Sequence, residues 1–450
     1  MREHSGLLTD LYELTMAAGY LQTRFEADAT FELFVRHLPP HRNYLVAAGL
    51  EQALDFLENV HFTPDEISYL RRHPAFGHIR DEFFDYLATF RFTGDAWAMP
   101  EGTLVFPGEP LLRIHAPIIQ GQIIETYLLS TLSYQTMIAS KAARVVTAAR
   151  GRHVVEFGAR RSHGPLASLM AARAASIGGC QGTSNVLAGQ FFGIDVYGTQ
   201  AHSWVMAHEN EAEAFRQFLD AFPEHSVLLL DTYDVRNAVK KIISMGRKPA
   251  GVRLDSGDLT KDSRWVRRQL DGAGWKDVKI FASGDLDEAR ITELLAKGAA
   301  IDAFGVGTAL ATPGDAPHLN LIYKLVVVER DGKLRGAAKL SRAKVTYPGR
   351  KQVFRDSAAN GEWIRDRIAL DGESANGGAP LLIEVMRNGK RLTPPETICQ
   401  LRDRCMAGLA RLPQKYRGLG RSAAYPVLYS KRLESMLEKV RRRIRRSALK

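Results

Sequence analysis

Six places in this 450-residue chain set polar side chains or glycines directly behind an apolar run. GARRSHG follows VVEF, TQAHS follows DVYG, DTYD follows SVLLL, DSGD follows GVRL, GDLD follows KIFAS, and GT follows AFGV. Core packing does not require a base, a carboxylate, a hydroxyl or a glycine at all of these positions. Loops at the carboxyl ends of parallel strands converge on one site, so the pattern predicts a single centre built from successive strand ends.

Residue types define the chemistry open to that centre. His202, in GTQAHSW, stands behind small neighbours where a strand ends and a loop begins; a hydrogen-bonded histidine closing the loop is the plain alternative. Gly284, Gly305 and Gly307, in ASGDLDEAR and FGVGTAL, let backbone N–H groups face an anion, and each loop runs into a helix start with its positive dipole end. Either loop alone is a turn, but together, after the last two strands of a barrel, they predict phosphate binding. Asp255 and Asp258 have three readings: they hold Mg²⁺ beside substrate phosphates, orient a ribose, or cap a helix. Arg253 precedes them and suits bidentate pairing with a carboxylate. Phe157 beside Arg160 and Arg161 offers an aromatic face with cationic donors, a fit for a planar anionic ring, although a core aromatic flanked by surface arginines reads the same. Lys339, Arg342, Lys344, Arg350 and Lys351 form a basic cluster that neutralises a pyrophosphate if it faces the barrel mouth and is a solvated hairpin otherwise.

The elements that must position these residues repeat. Apolar strand candidates at HVVEF, IDVYG, SVLLLD, AGVRL, KIFAS and IDAFGVG alternate with helical patterns such as LDEARITELLAKG, at spacings of roughly 25 to 40 residues, the length of a strand plus its crossover helix. The expected fold class is α/β, a βα repeat that closes into a barrel or winds into an open sheet, after which the chain returns to β structure beside the first domain. The expected divisions are an N-terminal domain at 1–120, the barrel at 121–320, and a return hairpin, linker and basic helical tail at 321–450. Asp331-Gly332 marks the hairpin turn, and DGESANGGAP is the linker candidate.

Composition excludes several classes. With 45% hydrophobic and 25% charged residues the chain reads as globular. It has no uninterrupted apolar stretch of about 20 residues and no signal-peptide pattern at its start, which predicts a cytoplasmic protein without a membrane role. Cys180, Cys399 and Cys405 match neither a disulfide framework nor a zinc site. The net charge of +11 invites a nucleic-acid partner, but residues 411–450 carry 13 Lys and Arg against 2 Asp and Glu and so hold the whole excess. That segment reads as a solvated helix packed by one face through Leu433, Met436, Leu437, Val440 and Ile444.

LLTDLYELTMAAGY, EFGARRSHGP, GTSNVLAGQ, GTQAHSW, DTYDV, GVRLDSGDL, ASGDLDE, GVGT and KVTYPGRKQVFR occur in the order and approximate spacing of the nicotinate phosphoribosyltransferases, and the resemblance runs from Leu7 to about Arg355. It implies a type II phosphoribosyltransferase, an irregular α/β barrel packed against an N-terminal, sandwich-like α/β domain completed by C-terminal segments, in a homodimer with sites at its interface. The implied reaction joins nicotinate to 5-phosphoribosyl 1-pyrophosphate in NAD salvage, giving nicotinate mononucleotide and pyrophosphate, with Mg²⁺ present and ATP hydrolysis assisting as a co-substrate. By the same resemblance His202 is the phosphorylated histidine and Asp255 steadies the ribose as charge develops. Phe157 and Tyr12 of the partner subunit sandwich the pyridine ring, Arg253 and Thr199 meet nicotinate or its carboxylate, and Arg160 lies close by. Gly284, Asp285, Gly307 and Thr308 cradle the 5′-phosphate, while Arg36, Lys344 and Lys351 bind pyrophosphate. Ser184 stands where the sister nicotinamide enzyme has an aspartate, which favours the acid over the amide as substrate. Ala343 departs from the family, which commonly has a glycine before this lysine. The alternatives are nicotinamide phosphoribosyltransferase, a barrel aldolase or phosphosugar isomerase, and a non-catalytic phosphate- or nucleotide-binding barrel.

Overall fold

The computed structural model describes residues 4–341, 344–420 and 422–448. Arg342 and Ala343, singled out above, lie outside the described residues. The chain divides into two compact units: residues 1–137, 318–396 and 407–450 form one, and 138–317 with 397–406 form the other. The first division falls within the helix Glu125–Ala149, later than position 121, and the second falls at 317/318.

The second unit holds six parallel strands in the order Gly182–Thr183, His153–Glu156, Ala303–Val306, Lys279–Ala282, Gly251–Leu254, Val227–Leu229. A single parallel bridge adds Val196 beside Thr183. The last of these strands in the chain, Ala303–Val306, pairs with the first, His153–Glu156, and among the described residues no ladder joins Val196 to Val227–Leu229. Buried apolar residues supply the strands, among them Val154, Val155, Leu228, Leu229, Val252, Leu254, Ile280, Phe304 and Val306, as strands covered on both faces require.

The helices Val235–Ser244, Leu259–Gly272 and Glu288–Ala296 follow three of these strands, each capped by an aspartate whose side chain accepts an N–H of the first turn: Asp234, Asp258 and Asp287. IDVYG, expected as a full strand, is only the Val196 bridge. Gly193, with φ +67°, ends the helix Val186–Phe192 and leaves few residues before Gly198 for a ladder to form.

The first unit contains a seven-stranded antiparallel sheet in which Leu321–Arg330 and Pro110–Pro117 flank Asp28–Val35. The chain therefore does return after the parallel strands to the N-terminal sheet. Asp331 and Gly332 make the expected hairpin turn, with φ +52° and +67°. A second sheet of four strands combines Ala379–Pro380, Lys351–Ser357, Trp363–Leu370 and Val427–Tyr429. The Gly-rich stretch DGESANGGAP, expected as a linker, instead connects two strands of this sheet.

The C-terminal helix Lys431–Ala448 buries Leu433, Leu437 and Val440, and Met436 lies close to Gly336 and Gly349. Most of its basic side chains stay exposed, as an amphipathic helix packed on one face requires. Among the described residues, no helix is long and apolar enough to cross a membrane.

Candidate active site

A pocket of ≈ 280 Å³ opens at the carboxyl ends of the parallel strands, lined by Phe157, Arg160, Arg161, Arg253, Asp255, Ser283, Gly284, Asp285, Gly305, Gly307 and Thr308. Most of the strand-end residues singled out in the sequence therefore meet in one place. Arg253 leaves the strand Gly251–Leu254 with every nitrogen of its fork engaged. Nε donates to Ser283 Oγ at 2.7 Å, Nη1 to Thr199 Oγ1 at 2.8 Å, and Nη2 to Asp255 Oδ1 at 2.6 Å. Its guanidinium carbon stands 5.8 Å from the centroid of Phe157, whose ring tilts against Phe281 at 5.5 Å. A charged fork beside an aromatic face is suited to a flat ring carrying a carboxylate.

Two glycines are required by space. Gly284 has φ +88°, and a Cβ there would come within 1.8 Å of the Asp255 carbonyl oxygen. A Cβ on Gly305 would press to 2.7 Å against Phe157 and 2.8 Å against Phe281. Asp285 follows in the left-handed region at φ +46°, a conformation that aspartate tolerates better than most side chains. Asp287 caps the helix behind this loop, so the loop's own N–H groups are what it offers to an anion. Gly307 precedes the short helix Thr308–Ala311, which has no side-chain cap.

His202 begins the helix His202–Met206. Its Nδ1 lies 3.2 Å from Thr232 Oγ1 and its Nε2 3.9 Å from Asp255 Oδ2. Burial opposes ionisation of Asp255, yet the hydrogen bonds from Ser283 and Arg253, with the charges of Arg253 and His202, outweigh it and hold the carboxyl below its ordinary value. Asp258 is exposed and accepts from Lys261 N at 3.1 Å, which realises the helix-cap reading of that residue. Ser184, after the short strand Gly182–Thr183, donates its backbone N–H to the Glu156 carbonyl at 2.9 Å.

The remaining candidates belong to the first unit. Tyr12 lies on the helix Leu11–Gln22 and is exposed. Next to it, Glu13 is pushed up to about 8 by burial and by the charge of Glu125. Arg36 lines a cavity of ≈ 320 Å³ with Glu32, His37, Tyr347 and Lys351, among others. Lys344 is exposed. Lys351, expected to meet pyrophosphate, is buried, with its ammonium 2.6 Å from Glu32 Oε2 and 3.0 Å from the Gly349 carbonyl.

Several contributors went unassigned in the sequence. Ser283 touches both Arg253 and Asp255. Asp231 Oδ2 accepts from Asp255 N at 3.1 Å and from Ser256 Oγ at 2.5 Å. Glu156, fully buried, accepts from Thr183 Oγ1 at 2.6 Å and from the Gly158 N–H, and burial raises its pKa. It thereby ties the Arg160 loop to the Ser184 loop. A carboxylate inside the apolar run HVVEF was the available signal.

Three family models match in chain order: the nicotinate phosphoribosyltransferase N-terminal domain at 7–133, the nicotinate phosphoribosyltransferase family at 152–367, and its C-terminal domain at 377–437. This chain belongs to the nicotinate phosphoribosyltransferase family. A nicotinate phosphoribosyltransferase of Mycobacterium tuberculosis is 45% identical over 450 residues, covering 98% of this chain and 95% of the relative. One from Bacillus subtilis is 44% identical over 381 residues, covering 82% and 77%. The crystal structure of human nicotinic acid phosphoribosyltransferase superposes with a TM-score of 0.84 at 28% identity, covering 96% of this chain and 99% of the human one. Nicotinate phosphoribosyltransferase activity accounts for a pocket that combines a carboxylate-seeking arginine with glycine-rich anion loops.

Proposed function

We propose that this nicotinate phosphoribosyltransferase couples ATP hydrolysis to transfer through a phosphohistidine at His202. The base site is carried by the Arg253 fork, fixed by Thr199, Ser283 and Asp255 beside the Phe157 ring, and the phosphohistidine reading by His202, whose Nδ1 lies 3.2 Å from Thr232 Oγ1 and whose Nε2 lies 3.9 Å from Asp255 Oδ2. Nicotinate stacks on Phe157 with its carboxylate on Arg253, Arg160 lying close by and Thr199 sharing the contact. The 5′-phosphate sits on the Gly284–Asp285 and Gly305–Thr308 loops. The pyridine nitrogen attacks the anomeric carbon, forming the C–N bond as the C–O bond to pyrophosphate breaks and its electron pair leaves with pyrophosphate. Positive charge grows on the ribose as that bond stretches, and the ionised Asp255 opposes it.

In the coupled half-reaction an imidazole nitrogen of His202 attacks the γ-phosphorus of ATP, and the bond to ADP breaks. Water later takes the phosphoryl group and restores the imidazole. The added charge sits within reach of Asp255 and reorganises the site. Arg36 and Lys344 are the proposed pyrophosphate ligands; Lys351 joins them only if phosphate displaces Glu32.

Mg²⁺ fits the carboxylates present. Asp255 Oδ1 is taken by two donors, which leaves Oδ2, and the buried Asp231 Oδ1 has no hydrogen-bond partner among the described residues. Asp258, the other carboxylate considered, is occupied as a helix cap. One or two carboxylates completed by substrate phosphates are what this ion prefers, and held there it would supply charge neutralisation to the pyrophosphate group.

The proposed base is tested at Ser184. No carboxylate occurs in residues 182–185 to accept an amide N–H. Ser184→Asp is expected to lower kcat/KM for nicotinate about tenfold by charge repulsion, measured with nicotinamide as competitor; an unchanged nicotinate value would remove Ser184 from base selection.

The proposed homodimer draws on the helix Val186–Phe192, where Val186, Leu187 and Phe191 are 72%, 55% and 71% exposed. Apolar side chains clustered in this way mark an interface, and Tyr12 of the partner subunit then completes the ring sandwich. Phe191→Asp is expected to shift the sedimenting species from dimer to monomer and to depress turnover in parallel. A variant that sediments as the wild type does would take this helix out of the interface.

A further inference from the structure

Ser283 directly follows the strand Lys279–Ala282 and is 3% exposed. Its backbone N–H donates to the Leu254 carbonyl at 2.9 Å, which fastens the glycine loop to the strand carrying Arg253 and Asp255. Its hydroxyl lies 2.7 Å from Arg253 Nε and 2.5 Å from Asp255 Oδ1, while Arg253 Nη2 reaches the same Oδ1 at 2.6 Å. Donor chemistry orients the ring that results. A guanidinium only donates, so the hydroxyl accepts from Arg253 and must spend its single hydrogen on Asp255. Oδ1 therefore receives two donors, and Oδ2, which faces His202 Nε2 at 3.9 Å, is the oxygen left for substrate.

We propose that Ser283 is a positioning residue that couples base recognition to stabilisation of the ribosyl cation, by locking the Arg253 fork and turning Asp255 Oδ2 towards the reacting centre. The proposal rests on the roles given above to Arg253 and Asp255. It separates Ser283 from a packing residue, because the hydroxyl acts on two charged groups at once. Without it the Arg253 Nε–H is left unpaired in a half-buried site, and Asp255 Oδ1 keeps only the donor from Arg253 Nη2, so the carboxylate can turn and Oδ2 is no longer fixed towards the reacting centre.

The test compares Ser283→Ala with the near-isosteric Ser283→Cys in the full-length enzyme, with Arg253→Ala and Asp255→Asn assayed alongside. Both Ser283 variants are expected to raise KM for nicotinate and to lower kcat together, so that kcat/KM falls about tenfold to a hundredfold. Should Ser283→Ala fold poorly, Ser283→Cys, which nearly keeps the volume, carries the test alone. A cysteine variant with wild-type KM and kcat overturns the coupling, and so does a change in one of the two with the other unmoved. If Arg253→Ala and Asp255→Asn both turn nicotinate over normally, the site reading itself fails, whatever Ser283 does.

Discussion

Arg253→Ala is expected to lower kcat/KM for nicotinate by about a thousandfold, most of it through KM. Truncating one partner of a hydrogen-bonded charge pair across a binding contact, here Arg253 against the nicotinate carboxylate, costs about 2–5 kcal/mol, and each 1.4 kcal/mol is about a factor of ten. The Arg253 side chain is 12% exposed, so solvent screens that contact only in part. Thr199 and Ser283 lose a donor as well, and Asp255 loses the cation that helps hold its carboxyl low. A fall in kcat and an upward shift of the acid limb should accompany the rise in KM. Initial rates with nicotinate varied at saturating phosphoribosyl pyrophosphate measure all three, and an unchanged KM would remove Arg253 from recognition of the base.

His202→Ala is expected to abolish ATP stimulation and to cut the enzyme's ATP hydrolysis by about a thousandfold or more, the scale on which loss of a covalent nucleophile is felt. The imidazole is held at one nitrogen by Thr232 and approached at the other by Asp255, so its orientation is set before ATP arrives. Incubation with γ-labelled ATP should leave an acid-labile, base-stable phosphoryl group on the wild type and none on the variant. Label retained on His202→Ala would place the phosphoryl acceptor elsewhere.

Much of the strand-end site was legible because its logic is local. Each strand is a short buried apolar run, and whatever follows it at the carboxyl end is thereby placed. Arg253, Asp255, Gly284, Asp285, Gly305, Gly307 and Thr308 were found in this way and meet in one pocket. The rest depends on partners distant in sequence. Lys351 looks like a free cation until Glu32, 319 residues away, closes on it, and nothing local to KVTYPGRKQVFR announces that carboxylate. Ser283 reads as an ordinary loop residue until Arg253 and Asp255 arrive on the neighbouring strand. Gly182–Thr183 is too short for apolar periodicity to reveal, and the sheet containing Lys351–Ser357 recruits Val427–Tyr429 from the segment read only as a tail.

The most direct measurement is formation of nicotinate mononucleotide from nicotinate, phosphoribosyl pyrophosphate and Mg²⁺, with and without ATP, comparing wild type with His202→Ala and offering nicotinamide as the competing base. The account predicts product from nicotinate in preference to nicotinamide, and stimulation by ATP in the wild type alone. Equal stimulation of His202→Ala, or product from nicotinamide in preference to nicotinate, would contradict it.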